Sequence, residues 1–568
     1  MRDISILAVM FLVLTGCAHN LSLKITDMGA MADHEFDNAL IINAAIDSCN
    51  RSGGGTVVIP AGRFMSSTIY LKAGVELRLE KDAELIACRN IDFYGHYVTD
   101  KDMSRYDTGM GTANQNCVSD TIWSQALVIA HHADGAAITG CGRIDGGSIR
   151  NPLGEEGMRG PHTVLVAETA GFTMSGLSID NSSNYAVLGY DLTDCKFNGL
   201  RITGGWDGIH IRGGESVNVS ECDFSTGDDC MAGGYWHNMV IDRCRFNSSC
   251  NGLRMIMPSE DVRISDCAFI GPGRSPHLTR SDKGGDMLYA MILEPGGWGD
   301  APGTLSGICV KNCVADSVLS PFCMTLLDDN HCTDVTIDTY RATNCRMALS
   351  VKSWGNSTAD KVTISNSAFS FIGIPERGLG TKIASMPFDR WPYFPSYGAY
   401  FRNAYDVVLD NVTFSTIGPD DREDIYTDNV TRLKRYRLFV KMTNRAACNL
   451  LNINDITIFR VAEIITLKSA KVLSCSDLRV TLNDQRSWSG KRLRGYVLSA
   501  LLPNSRNHLP LSPFRGYCHF AALQKLPPRR SLAPIPEIKL PKRKTSLRRD
   551  WSYIVNQLCT RNSSGSLL

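Results

Sequence analysis

The chain has 568 residues, 43% of them hydrophobic, and carries 59 Lys and Arg against 58 Asp and Glu, for a net charge of +1. That length supports a sizeable buried core, and the near-neutral balance excludes the broad positive field by which many proteins bind nucleic acid. Twenty cysteines are present, but no close Cys-x-x-Cys pair joins histidine ligands, which argues against a zinc module.

In chain order, the first element is a leader. Arg2 precedes an apolar run from Ile4 to Leu14 that ends in Leu14-Thr15-Gly16-Cys17. The run is too short to span a membrane as a mature helix and has the length of a signal peptide core. It resembles a bacterial lipoprotein signal, residues 1–17, which implies a lipid on Cys17. The expected location is the outer membrane, the periplasm or the cell surface, with membrane contact through that lipid alone.

Residues 18–90 read as an N-terminal cap and first coils. Apolar residues at three- and four-residue steps predict a helix over 37–47. Gly53-Gly54-Gly55 then punctuates the chain before Thr56-Val57-Val58-Ile59-Pro60-Ala61-Gly62 and the alternating run 75–79, both with strand chemistry. A helix at this place covers the open end of a strand stack and protects its edge.

Residues 91–484 carry a repeat. An apolar residue, a small or apolar residue three positions on and an apolar residue two further recur as Val219, Cys222, Phe224, then Ile241, Cys244, Phe246, then Ile264, Cys267, Phe269. The pattern returns as Met174, Leu177, Ile179, as Leu192, Cys195, Phe197, as Val310, Cys313, Ala315, and later as Ile364, Ser367, Phe369 and Leu409, Val412, Phe414. Each unit is a short run rich in Val, Ile and Thr closed by Gly, Asn or Asp, and no helical period competes. The repeat predicts an all-β solenoid, a right-handed parallel β-helix with an N-terminal capping helix. Its cysteines are expected to form a ladder of small, buried, unpaired thiols.

Two acidic motifs lie about one repeat apart, Asp207 in Gly-Gly-Trp-Asp-Gly and Asp228-Asp229 in Thr-Gly-Asp-Asp-Cys. Neighbouring coils are about 4.8 Å apart, so the three carboxylates should share one patch. Asp-Gly and Gly-Asp-Asp are also ordinary turn sequences; the repeat spacing of the pair is what points to chemistry. Around them, His210 and Arg212 alternate with Ile209 and Ile211 and should point off the core, while Asn251 and Arg254 fall one coil further on. These four, with Trp206 and Trp236, are the candidate sugar-binding groups; Tyr235 and Trp298 are further aromatics of the region. A polar insertion over 271–286, with Arg280, Asp282 and Lys283, is expected to lie over the groove.

The last element, 485–568, lacks the coil pattern. It holds 16 Lys or Arg against two acids, with eight prolines, so the rest of the chain is strongly acidic. Such composition reads as an extended tail with no assigned function, or as an anomalous end of the chain.

The cap segment from Ala44 to Gly62, then Gly142-Arg143-Ile144-Asp145-Gly146, Asp207-Gly208-Ile209 and Gly227-Asp228-Asp229-Cys230 together resemble the polygalacturonase family of glycoside hydrolases, family 28, in the pectate-lyase-like superfamily. The resemblance runs from about Lys24 to Phe414. It implies inverting hydrolysis, with Asp228 as general acid and Asp207 with Asp229 holding the attacking water, and no metal or cofactor. It implies a polysaccharide or oligosaccharide substrate and a chain acting as a monomer.

Three family features are missing, the first being the Asn of Asn-Thr-Asp, replaced by Gly205-Trp206 before Asp207. Ser249-Cys250-Asn251-Gly252 stands where the family has Gly-His-Gly, and Tyr289-Ala290-Met291-Ile292-Leu293-Glu294 where it has Arg-Ile-Lys. The Arg of such a clamp grips a uronate carboxylate in a fixed fork, so the expected substrate is other than plain polygalacturonate. The alternatives are a polysaccharide lyase on the same fold, or a glycan-binding β-helix without catalysis.

Overall fold

The computed structural model describes residues 21–107, 116–279, 285–297, 300–327 and 329–436, with five short strands beyond. The lipidation position Cys17, Trp298, the polar residues 280–284 and the tail from 490 lie outside the described residues.

The chain winds as a parallel β-helix. One sheet of twelve strands runs from Gly62–Ser66 to Thr413–Ile417, and as far as Ala268–Ile270 each of its strands is the third along the chain after its neighbour, so a coil there contributes three strands. Register is regular: Val187, Ile209, Met231 and Leu253 are successive partners, and all four are buried. Because side chains alternate across a strand, this register sends one set of apolar residues into the bore and the next set outward. The predicted cap is present as the helix Ala39–Arg51, whose Ile42, Ala45, Ile46 and Cys49 are buried against the first strands. Parallel pairing continues past the capped body to Asp477–Thr481.

Inside the bore, like residues stack. Phe224, Phe246 and Phe269 lie ring over ring at centroid distances of 5.2 and 4.7 Å, both pairs tilted by 7°. Beside them Cys222, Cys244, Cys267 and Cys313 occupy one position per coil, each directly after a residue with φ between 49° and 56°. The fifteen described cysteines are all free thiols, as the ladder expectation requires.

One repeat is corrected by the register. Phe197 pairs with Val219, and Ile202 pairs with Phe224, so the coil before Val219-Cys222-Phe224 is Phe197-Leu200-Ile202. Leu192-Cys195-Phe197 instead straddles the preceding bend, at Asp194 with φ 52°. Both bends have a left-handed residue followed by an apolar one, and the apolar spacing alone does not separate them.

Long insertions interrupt the coils at residues 88–125, 146–161, 271–288, 294–302 and 373–395, and the first four bear on the acidic motifs. Cys88, Tyr94, Ile149 and Met287 from them join the core of the bore. Among their described residues, Tyr106, Arg159, His277 and Glu294 reach Arg212, Asp228 and Arg254 on the outer face beside the acidic motifs.

Candidate active site

The register that fills the bore also builds the acidic patch. Two residues before the aligned Val187, Ile209, Met231 and Leu253 stand Tyr185, Asp207, Asp229 and Asn251, one on each coil. Backbone bonds lock these rungs: Ala186 N–H donates to the Asp207 carbonyl, Gly208 N–H to that of Asp229 and Cys230 N–H to that of Asn251, each at 2.9 Å. Carboxylate oxygens of Asp207, Asp228 and Asp229 lie within 4.8 Å of one another. Asp207 and Asp229 are buried, whereas the Asp228 side chain keeps 14% exposure and is the most open of the three. The glycine after Asp207 is required by space, since a Cβ on Gly208 would lie 2.4 Å from the Cys230 carbonyl and 2.8 Å from the Phe224 ring.

Each acid has its own retinue. Asp207 accepts from His210 Nδ1 at 2.7 Å, and His210 Nε2 accepts in turn from Arg212 Nε at 3.1 Å. That pair of bonds fixes the histidine as the neutral Nδ1–H tautomer. Burial and the Arg212 charge agree, holding the His210 pKa well below its usual value. Tyr185 lies flat on the imidazole at 4.6 Å. Asp229 accepts from Asn251 Nδ2 at 2.7 Å and faces Arg254 Nη1 at 3.5 Å, while Glu294 accepts from Arg254 Nε at 2.8 Å. Asp228 faces Arg159 Nη2 at 3.3 Å and His277 Nε2 at 3.6 Å.

These surroundings divide the protons unevenly. Burial pushes the Asp229 carboxyl up to about 6, with Arg254 opposing and the Asp228 charge reinforcing. Burial also lifts Asp207 well above the usual carboxylate range, helped by the charges of Asp228 and Asp229. For Asp228 burial acts in the same direction but is outweighed by His277, Arg159 and Arg254, which hold it well below that range. Like charges this close do not all ionise together. In the free protein, therefore, Asp228 is the ionised member, and the proton belongs to the Asp207 and Asp229 side.

The structure brings Asp207, Asp228 and Asp229 together and redraws the roles around them. His210 and Arg212 do point off the bore, but residue segments 96–107 and 116–125 cover them. Arg212 has no exposure, with its guanidinium donating to the Tyr106 carbonyl at 2.9 Å and to Asn116 Oδ1 at 2.6 Å, so it orients His210 and does not reach substrate. Trp236 is not a sugar platform: it is buried in the bore, its Nε1–H donating to the Ile211 carbonyl at 2.8 Å. The bulge at Tyr235, φ 52°, reverses the expected alternation and turns Trp236 inward. Trp206 is buried too, beneath the Arg159 guanidinium at 3.8 Å from its ring centroid. Asn251 and Arg254 are committed to Asp229 and Glu294, positioning the acid.

Three partners were not singled out from sequence. Arg159 comes from the 146–161 insertion, where Glu155 and Glu156 hold it at 3.4 and 3.3 Å. Glu294 opens the 294–302 insertion. His277 comes from the 271–279 part of the polar insertion, which does lie over the acids as expected. The histidine missing from the coil is thus matched by one arriving beside Asp228 from a loop. Only the insertion itself was a signal, because loop length says nothing about which residue reaches inward.

Known proteins share this frame. Residues 162–274 match the family described as right handed beta helix region. A polygalacturonase of Ralstonia solanacearum is 26% identical over 171 residues, 26% of this chain and 30% of that protein. One from Prunus persica is 24% identical over 241 residues, 40% of this chain and 54% of that protein. The chain thus spans about a third to a half of the length of these curated relatives. Among solved structures, the family 28 exopolygalacturonase of Yersinia enterocolitica superposes with a TM-score of 0.52 at 16% identity, covering 72% of this chain and 78% of that one. The hyperthermoactive exopolygalacturonase of Thermotoga maritima gives 0.51 at 16% identity, covering 70% and 92%. The fold is that of a right-handed parallel β-helix, and the chain is a divergent, polygalacturonase-like example of it.

Proposed function

We propose that this protein is an exported glycoside hydrolase that cleaves glycosidic bonds in a polysaccharide or its oligosaccharides. The observation that carries the reading is the clustering of Asp207, Asp228 and Asp229 within 4.8 Å, with Asp228 held ionised and the other two pushed towards the protonated form. Such a division of protons among carboxyl groups is what acid and base roles require.

Asp228, the most open acid, protonates the glycosidic oxygen as the bond to the anomeric carbon breaks. Asp207 and Asp229 orient a water whose oxygen attacks that carbon from the other face, and its proton passes to them. Two oxygens within 4.8 Å can both hydrogen-bond to one water. For Asp228 to act as acid, the proton held on the other two must cross to it as substrate covers the site, and the same shared water spans that gap. Calcium-dependent elimination is disfavoured by Arg159 and Arg254, whose charges already face these acids.

The substrate is other than plain polygalacturonate. Ile292 follows Arg254 in register, so the strand Tyr289–Leu293 offers no clamp of Arg and Lys. Export as a lipoprotein through Cys17, action as a monomer and hydrolysis at these acids without a metal or cofactor complete the proposal.

The test is incubation of the purified protein and its Asp228→Asn variant with a panel of polysaccharides and oligosaccharides, following reducing ends and the anomeric configuration of the first product by NMR. The expected result is an inverted product and a rate loss of about 10²–10⁴-fold in the variant. Carboxyl groups about 6.5–9.5 Å apart are usual for inversion and about 5–5.5 Å for retention. The short oxygen spacing makes the configuration decisive: a retained product would make Asp207 or Asp229 a nucleophile. Unsaturated uronyl absorbance, or unchanged turnover in the variant, would overturn hydrolysis by these acids.

A further inference from the structure

A second constellation lies on the outer face of earlier coils. The strand Ala126–His131 pairs with His162–Ala170, aligning His131 with Ala167 and placing His132 one rung from Glu168. His132 and Glu168 both have φ 48°, and Asp191 on the next coil has φ 49°. This recurring left-handed bulge sets one side chain per coil in a column.

We propose that His131, His132 and Glu168 bind a divalent first-row transition-metal ion, with Zn²⁺ as the expected occupant. The two imidazole nitrogens and a carboxylate oxygen lie within 4.8 Å of one another. Around Zn²⁺, with bonds of about 2.0–2.2 Å, tetrahedral donors sit about 3.4 Å apart. His131 Nε2 is already 3.2 Å from Glu168 Oε1, and the exposed His132 lays its ring on that of His131 at 4.1 Å. His132 Nδ1 donates to the Glu168 carbonyl at 3.2 Å, so Nε2 is the nitrogen offered to an ion. Two imidazoles with one carboxylate suit Zn²⁺, Cu²⁺ or Ni²⁺ better than the oxygen-seeking Ca²⁺ or Mg²⁺.

The supporting groups are those a ligand set uses. Tyr97 donates its hydroxyl to Glu168 Oε1 at 2.5 Å and sets its ring edge-on to His131 at 4.9 Å. Outer hydrogen bonds of this kind orient metal ligands. Tyr97 belongs to the 88–125 insertion, which also supplies Tyr106 and Asn116 to Arg212. An ion here ties that insertion to the coils.

The site does not depend on the hydrolase reading. Chelator-stripped full-length protein is titrated with Zn²⁺ by calorimetry, and with Co²⁺ to read the ligand field. One equivalent should bind without a thiolate charge-transfer band. Affinity should fall at least about tenfold in His132→Ala and in the near-isosteric Glu168→Gln, and fall in Tyr97→Phe. It should be unchanged in Cys250→Ser and His277→Ala, which probe the nearby-ligand group Asp228, Cys250 and His277 at the acids. Unchanged affinity in both His132→Ala and Glu168→Gln, loss in Cys250→Ser instead, or no binding tighter than 100 µM, taken as roughly the weakest affinity of a built site, would each overturn it.

Discussion

Two columns of this solenoid, built by the same register, are opposites in content. Along one turn, Cys222, Cys244, Cys267 and Cys313 repeat with little variation, and Phe224, Phe246 and Phe269 stack beside them. Along the strand leading into the outer face, the column reads Tyr185, Asp207, Asp229 and Asn251, with only the two aspartates alike. In the first column each residue meets its own kind on the next coil and satisfies itself there. In the second, the acids are completed by unlike groups: Asp228 by Arg159 and His277 from insertions, Asp229 by Asn251 and Arg254 from the next rung, Asp207 by His210 three residues on in its own coil. The coils supply spacing and the insertions supply chemistry. One column should therefore stabilise the fold, and the other should strain it.

The largest effect is expected where the stabilising column is cut. Phe246 is fully buried between two parallel rings, so Phe246→Ala removes both stacking contacts and leaves a cavity. The expected cost is about 3–5 kcal/mol, read as a lower urea midpoint. A cost below about 1 kcal/mol would mean that the coils relax into the gap and that stacking is not what holds them.

The opposite sign is expected in the acid column. Asp229, buried and with a pKa pushed up to about 6, is harder to ionise folded than unfolded, where Asp titrates near 3.9. The native state binds more protons between these values, so this group lowers stability as pH rises: the penalty is absent below about pH 4 and complete above about pH 6. Asp229→Asn keeps an acceptor for Asn251 and removes the charge. It should raise stability by about 1–3 kcal/mol at pH 7.5 and by little at pH 4, while abolishing water activation. A variant equally stabilised at both pH values would refute the assigned ionisation. In the parent protein the same titration predicts that kcat/KM rises as pH climbs through about 6.

Much of this contrast could be read from the chain. The apolar triplets around Cys222, Cys244 and Cys267 gave the coil length, and that length placed Asp207 beside Asp228 and Asp229. Strand alternation correctly turned His210 and Arg212 off the bore. What alternation does not carry is a bulge: Tyr235 at φ 52° sends Trp236 into the core. Nor does it carry a second layer. The covering of Arg212 by Tyr106 and Asn116 joins residues about a hundred positions apart, with no repeat to announce it. Arg159 and His277 escaped for the same reason, because insertions break the period on which the reading rests.

The smallest effect separates filler from function within the regular column. Cys244 is buried, and its thiol lies 3.3 Å from the carbonyl of Asp242 and 3.7 Å from that of Val219 on the previous coil. Cys222, Cys267 and Cys313 repeat this geometry almost unchanged, each touching a carbonyl two residues back and another one coil earlier. A thiol is a weak donor, so what it contributes is volume, and Cys244→Ala should cost about 1 kcal/mol. The loss should be independent of pH between 5 and 8, unlike that at Asp229, and hydrolysis should be unaffected because the turn lies away from the acids. If Cys244→Ala cost several kcal/mol, or altered turnover, the two columns would be coupled through the bore. The insertions would then not be alone in setting the chemistry.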